Sequence, residues 1–458
     1  MNQDSKLSEF IENPNRSLWK LAIPMTLGLF VNSIYILVDT YFIGNIPNIG
    51  TNAISALGYV MPFYFVIMGI TFGLSSGTTA VIAQYIGQKD KDKANETAHN
   101  SLLIAVSISI INILFVFFLG KKALMLQGMA PEVLDLAVQY FYVMGYGSIF
   151  LVFGIFLRAI LIGEGESVAP VIALGTGTIL NIILDPIFIY YLDWKVAGAA
   201  YATLVSQIIV ICIFLYFFII KKTTYIKLIF KKIKINFLIW KKIFSIGFPS
   251  SISLLLMSLG LFFMNSILGT SDDGDAYVAA FNLANRIENF ITLTLISIST
   301  SQVTIIGMFY GAKRFDLIKP LVRYATFWSM FIAGLFSLVA FFFINDITSL
   351  FFDQNEIAFA STVSYYKILA IAFPFIALIM VSTRSIQAIG QAWPMMGITI
   401  LRVLIIQCGL TYFFIVYLEK PSIEWAWYAI SIGCVVSGII AYLIRLYFLR
   451  DKYLEEKI

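Results

Sequence analysis

From Leu18 to Leu449 the chain is a succession of apolar runs parted by short polar breaks. A run of about 18 residues or more can cross a bilayer as a helix. In lipid every backbone N–H and C=O must be paired within the segment, which a helix does by itself. A barrel would need strands of about ten residues with alternating polarity. Hydrophobic residues make up 60% of the 458 residues and charged ones only 12%, so little is left for a domain outside the membrane. The expected fold is an all-α polytopic membrane protein.

Twelve spans are predicted. The first six cover Leu18 to Gly44, Asn52 to Ser75, Ala98 to Gly120, Leu134 to Arg158, Val168 to Leu192 and Val196 to Ile220. The second six cover Ile243 to Leu268, Tyr277 to Met308, Leu321 to Ile344, Ile357 to Ser382, Trp393 to Leu418 and Trp425 to Leu449. The polar first twenty residues have no short apolar core followed by a small-residue cleavage site, so no cleavable signal peptide is expected. Lys and Arg are retained on the cytoplasmic side of short loops. Alternate breaks carry Lys89, Lys91 and Lys93, then Arg158, then a lysine-rich stretch, then Lys313, Arg314 and Lys319, whereas the opposite breaks hold Lys121, Lys122, Lys195 and Lys420. A multi-pass cell-membrane protein with both termini cytoplasmic follows.

The lysine-rich stretch contains Lys221, Lys222, Lys227, Lys231, Lys232, Lys234, Lys241 and Lys242, interleaved with Ile, Leu, Phe and Trp240. Beside a membrane span, this pattern reads as a basic amphipathic connector on the anionic inner leaflet rather than a nucleic-acid patch. It divides residues 1–220, an N-lobe of six spans, from residues 243–458, a C-lobe of six, with 221–242 as connector.

The two halves match at an offset of about 225 residues: Pro24 with Pro249, Gly44 with Gly269, Ala56 with Ala280, Gly87 with Gly311, Lys89 with Lys313, Arg158 with Arg384 and Pro170 with Pro394. Six is an even number of crossings, so both repeats have the same topology and an axis along the membrane normal should relate them. Pro24, Pro186, Pro249 and Pro374 fall inside spans and should loosen the helix locally.

Charge breaks the symmetry. Asp39 corresponds to Met264, Asn181 to about Ile405, Asp185 to about Gly409 and Thr203 to about Ile430. At a helical rise of ~1.5 Å per residue, Asp39, Asp185 and Thr203 each lie roughly 7 to 12 Å inside the outer end of their spans, and Tyr140 reaches a similar level. Asn181 shares a helical face with Asp185. Two carboxylates meeting in low dielectric cannot both stay ionised cheaply, so a proton or a cation is required between them. Oxygen-only donors suit a proton or a hard cation such as Na⁺, not zinc. The other intramembrane charges, Arg286 and Glu288 in the eighth span, Lys367 in the tenth and Arg402 in the eleventh, are expected to pair structurally with other helices. His99 is expected near the membrane interface, and Cys212, Cys408 and Cys434 as buried small hydrophobes.

Nothing resembles a GxxxxGK[ST] phosphate loop, an HExxH pair or a Ser/His constellation, so neither nucleotide energy nor an enzymatic role is supported. An ion gradient remains as the energy source, with no cofactor beyond the coupling H⁺ or Na⁺.

The helix of Pro24 ending Val38-Asp39-Thr40-Tyr41-Phe42-Ile43-Gly44, the Gly87 loop, Asn181-Ile-Ile-Leu-Asp185-Pro186, Gly198-Ala-Ala-Tyr-Ala-Thr203 and Ala284-Asn-Arg286-Ile-Glu288 together resemble the multidrug and toxic compound extrusion (MATE) family over nearly the whole chain. The resemblance implies export of lipophilic, often cationic, small molecules against returning H⁺ or Na⁺, by alternating access. It also implies a coupling network of Asp39, Asn181, Asp185, Thr203 and Tyr140 linked to bending of the first helix, with Asp39, Asn181, Asp185 and Thr203 as ligands if the ion is Na⁺. The bilayer is the expected partner, nucleic acid is not, and the chain is expected to work as a monomer. Two departures stand out: Phe248 to Leu268 lacks any Asp or Glu where some relatives carry one, and the fourth span reads Tyr140-Phe-Tyr-Val rather than Tyr-Leu-Arg-Ile. A flippase for lipid-linked precursors would need a basic cavity for phosphates, and apart from Arg286, Arg402 and Lys367 the spans offer little for one. A receptor or channel fits poorly with a repeat whose carboxylates are all on one side.

Overall fold

The computed structural model describes residues 4–221, 224–228, 234–354, 356–418 and 422–456. Lys222, Lys231, Lys232 and Lys420 lie outside these residues. Among the described residues the regular structure is helical. Ten helices are long and apolar enough to cross a membrane, and two bent pairs bring the number of spans to twelve. In chain order they are α1 (Pro14–Gly44), α2 (Gly50–Gly87), α3 (Lys91–Met125), α4 (Pro131–Tyr146 with Ser148–Gly163), α5 (Val168–Tyr191), α6 (Lys195–Ile220), α7 (Phe237–Leu268), α8 (Gly274–Gly311), α9 (Phe315–Ser349), α10 (Ile357–Leu369 with Phe373–Ala388), α11 (Trp393–Tyr417) and α12 (Glu424–Phe448). Short helices Asp4–Glu12 and Asp451–Glu456 flank them.

Apolar runs alone understate several of these helices. Span two was expected to end at Ser75, yet α2 continues to Gly87, and α3 begins at Lys91 rather than near Ala98. The added turns carry polar side chains and an Asp90 cap whose carboxylate accepts the Lys93 N–H at 3.0 Å. Conversely, span four reads as unbroken but bends by 46°, while span ten bends by 58° just before Pro374, where the helix was expected to loosen.

The bends occupy equivalent places. A break in a membrane helix frees carbonyls that lipid cannot satisfy. In α4, Asn112 of α3 donates its amide to Gly145 O at 3.4 Å and to Ser148 Oγ at 3.0 Å. In α10, Ser337 of α9 donates to Ala370 O at 2.9 Å. Ser337 is the repeat counterpart of Asn112, and Ala370 that of Gly145, so the repeat extends to how each bend is held. The loops repeat as well: Lys89 and Lys313 adopt left-handed φ values of 58° and 59° just after α2 and α8.

Two compact units emerge, one of Met1–Lys6 with Ile23–Ser251, the other of Leu7–Ala22 with Ile252–Ile458. This differs from a division at 220 and 243, because the opening turns of α1 and α7 each belong to the other repeat's unit. Close packing explains the α7 case. A Cβ at Gly73 would meet Ser251 N at 2.3 Å, and one at Gly77 would meet Ile243 O at 2.5 Å, so these α2 glycines admit the α7 backbone directly. Ser251 adds a hydrogen bond to Ile70 O at 3.1 Å. In the second unit, Trp19 of α1 donates its ring N–H to Tyr324 at 3.0 Å and meets Trp328 edge-on at 5.9 Å.

The connector also departs from expectation. Its described residues 224–228 and 234–236 are non-helical and bonded to protein. Lys227 N donates to Asn95 Oδ1 at 2.8 Å, and the buried Asn100 accepts from Asn236 N and Trp240 Nε1 while donating to Lys234 O. Leaflet contact alone is therefore not what holds it.

Candidate functional site

The site is built on α1, α2, α5 and α6 of the first unit. Helices α1 and α5 run parallel: a Cβ at Gly28 would touch Val171 at 3.3 Å, and Tyr190 donates its hydroxyl to Phe42 O at 2.6 Å. Those two contacts bracket Asp39 at the level of Asp185. Helices α5 and α6 cross antiparallel with small residues at both ends, Gly198 against Phe188 and Gly177 against Val210. Asn181 and Asp185 therefore lie opposite the stretch from Thr203 to Ser206. Pro186 lacks the N–H that would continue the α5 ladder, and a π-helical turn, Ile187–Tyr191, follows it.

Asp185 is fully buried and Asn181 is 2% exposed. Asn181 Nδ2 donates to Asp185 Oδ1 at 3.2 Å. That bond leaves Asp185 Oδ2 and Asn181 Oδ1 without a hydrogen-bond partner, and Asp39 Oδ1 and Ser206 Oγ are in the same condition. Buried oxygens are normally satisfied. Four unsatisfied acceptors on three facing helices form an electron-rich set that a proton or a small hard cation would complete. The Asp39 charge acts on Asp185 and on the Tyr64 hydroxyl, so the two carboxylates share one electrostatic environment. Thr203 and Tyr140 are buried, the latter in the apolar cluster that includes Ile43 and Ile189.

Tyr64 and Ser206 were not singled out by sequence. A tyrosine in the apolar α2 reads as packing, whereas Ser206 lies one turn beyond Thr203, a spacing that could have drawn notice. Near the α4 bend, Tyr142, Tyr146, Phe150 and Tyr201 line a cavity of about 410 Å³.

The second unit treats the equivalent positions differently. Met264, Tyr365, Trp427 and Ile430 belong to one buried cluster, with Tyr365 and Trp427 edge-on at 5.1 Å and Phe281 stacked on Trp427 at 6.2 Å. Glu288 is partnered: Tyr365 donates to its Oε2 at 3.3 Å, and Arg402 acts on it electrostatically while approaching Cys434. Arg286 and Lys367 are exposed and form no ion pair among the described residues, rather than pairing with another helix. His99 is buried inside the first unit, and Cys212 is exposed rather than buried, while Cys408 and Cys434 are buried.

A sequence model of the MatE family matches this chain twice, over residues 24–187 and again over 249–413. The chain belongs to the MatE family. The double match coincides with the two repeats. Among MatE relatives, the multidrug export protein MepA of Staphylococcus saprophyticus is 24% identical over 451 residues, covering 96% of this chain and 95% of its own. The probable multidrug resistance protein YoeA of Bacillus subtilis is 24% identical over 355 residues, 74% of each chain. A solved multidrug resistance MATE transporter of the MOP superfamily, in an outward-facing conformation, superposes with a TM-score of 0.90 at 28% identity over 97% of both chains.

Proposed function

We propose that this MatE protein is a multidrug exporter that carries lipophilic, often cationic, molecules outward while H⁺ or Na⁺ returns through the first unit. The set of unsatisfied oxygens on Asp39, Asn181 and Asp185 is the observation that carries the reading. The names of MepA, a multidrug export protein, and YoeA, a probable multidrug resistance protein, support the multidrug part of the reading.

Binding the ion at two carboxylates removes their mutual repulsion and fills the orphaned acceptors, so it stabilises whichever conformation closes the site. Drug binding favours the other conformation. Each ligand then weakens the other's binding by the same factor, which is what exchange requires. Thr203 and Tyr140 serve as positioning groups around the pair, and the π-helical turn after Pro186 is the part of α5 best able to adjust. Lysine placement sets both termini in the cytoplasm.

Ethidium efflux from proteoliposomes under separately imposed Na⁺ and pH gradients tests this. One of the two gradients should drive efflux; if neither does, cation-coupled drug export is wrong.

A further inference from the structure

The second unit buries an arginine that no acid of the described residues neutralises. Arg445 lies in the last turn of α12 and is 4% exposed. Its one hydrogen bond among the described residues runs from Nη1 to Thr326 Oγ1 of α9 at 2.7 Å, and Thr326 in turn donates to Val322 O of its own helix. The guanidinium lies over the Tyr442 ring at 4.8 Å. Its remaining nitrogens have no partner among the described residues, yet they are not sealed from the surface. A hydroxyl, a ring face and the partial negative charge of a helix C-terminus offset little of what a guanidinium loses on leaving water.

The surrounding charges deepen the deficit. Arg323, exposed on α9 one turn before Thr326, repels Arg445 and forms no ion pair among the described residues. The first acid beyond α12, Asp451, is taken by Lys319 of α9 at 2.7 Å. Polarity is also graded along the two helices. They run antiparallel here, α9 beginning and α12 ending at the same end of the unit, as the Thr326–Arg445 and Lys319–Asp451 contacts require. Towards that end lie Lys319, Arg323 and Arg450. In the other direction, deeper in the span, Phe327 and Phe331 of α9 are exposed and stacked at 6.3 Å, and Tyr442 and Ile439 of α12 are exposed as well. Trp19 and Trp328, a residue type that collects at headgroup level, meet edge-on beside this stretch of α9. A molecule that fits must be negative at Arg445 and apolar along Phe327 and Tyr442.

We infer that Arg445, Arg323 and Thr326 form a binding site on the second unit for the phosphodiester of an anionic phospholipid, with its acyl chains along the exposed faces of α9 and α12. A phosphate held by both guanidiniums turns their repulsion into a shared attraction and gives Arg445 the charged acceptor it lacks. Lysine placement sets this end of the unit in the cytoplasm, where anionic headgroups are available to basic pockets between spans. Inorganic phosphate has the same charge chemistry but gains nothing from the apolar stretch. The lipid ties the start of α9 to the end of α12, and α9 also carries the Tyr324 hydroxyl that accepts the ring N–H of Trp19 in α1.

The full-length protein in a non-ionic detergent, titrated with dioleoylphosphatidylglycerol, dioleoylphosphatidylcholine or inorganic phosphate, tests this by thermal melting and native mass spectrometry. Phosphatidylglycerol should raise the melting midpoint and be retained as a discrete adduct. Phosphatidylcholine, whose choline cancels the charge, should bind more weakly, and inorganic phosphate should leave the midpoint unmoved. Arg445→Gln should weaken phosphatidylglycerol binding roughly ten- to a hundredfold, the scale of hydrogen bonds to a charged group. Arg445→Lys, which keeps the charge but not the planar fork, should recover part of that loss. Arg323→Gln, at an exposed position, should leave folding intact and weaken binding roughly fivefold, as expected of one basic residue at a lipid surface. Equal binding of the two lipids, an equal shift with inorganic phosphate alone, or unchanged phosphatidylglycerol binding in Arg323→Gln would overturn the inference. If Arg445→Gln does not fold, Arg323→Gln decides. No readout depends on transport, so the outcome is separate from the drug-export reading.

Discussion

The two repeats place carboxylates at different helices and treat them in opposite ways. In the first unit Asp39 and Asp185 keep buried oxygens with no partner, and tyrosines, Tyr64 and Tyr140, lie on neighbouring helices. In the second, the carboxylate occupies the Tyr64 position: Glu288 follows Tyr64 by the same offset as Ala280 follows Ala56. It takes a hydrogen bond from the hydroxyl of Tyr365, the repeat counterpart of Tyr140. One repeat leaves acceptors open to an incoming ion, and the other satisfies its acid internally. An acid already hydrogen-bonded and near an arginine gains little from a cation, so on the proposed function the first unit's carboxylate pair is the responsive side and Glu288 the inert one.

The largest effect should come from closing the responsive side. Asp39→Asn and Asp185→Asn are each expected to reduce gradient-driven ethidium efflux to the level of protein-free vesicles, with the protein still eluting as a folded species; normal efflux from either would end the distinction between the units. Next, Met264→Asp puts a carboxylate at the position matching Asp39, but Met264 is 3% exposed in an aromatic cluster. It should lower stability by about 3–5 kcal/mol, the penalty of an unpaired buried charge, and fail to rescue Asp39→Asn. A detergent melting curve and the double variant's efflux check both points. Asn181→Ala removes the amide donor that stabilises the Asp185 carboxylate and the open Asn181 Oδ1 beside it, so apparent affinity should shift roughly ten- to a hundredfold, tighter for H⁺ and weaker for Na⁺, corresponding to about 1.5–3 kcal/mol for a bond to a charged acceptor. Ion titration of efflux reads this, and an unshifted curve would mean the amide is only packing. The smallest effect belongs to Tyr365→Phe: about 1 kcal/mol of stability, with the ion titration unmoved. A shifted titration there would make the second unit responsive too.

Much of this was legible in the chain. Hydropathy gives twelve spans because lipid tolerates so few backbone solutions, and the repeat is readable from Pro24, Gly44, Gly87 and their partners. Asp39 and Asp185 stand out because charge in an apolar run is rare. Other parts leave no such trace. Pro374 marks a loosened point beside the α10 bend, whereas nothing apolar changes across Gly147, so the α4 bend is silent until the hydrogen bonds from Asn112 are seen. Tyr64 looks like any packing aromatic. The connector's lysines suggest a lipid surface, whereas its bonds run through Asn95, Asn100 and Glu164, which lie far away in sequence.

The exchange of opening turns between units has a bearing on how the protein is made. Leu7–Ala22 leaves the ribosome well before the rest of its unit, which begins only at Ile252. The first unit, for its part, lacks its final helical turns until Ser251 has been synthesised. Neither unit can therefore be completed as an isolated N-terminal or C-terminal product of translation. The start of α1 must wait, undocked, while everything from Ile23 to Ser251 is threaded into the bilayer, so the two repeats mature together rather than one after the other.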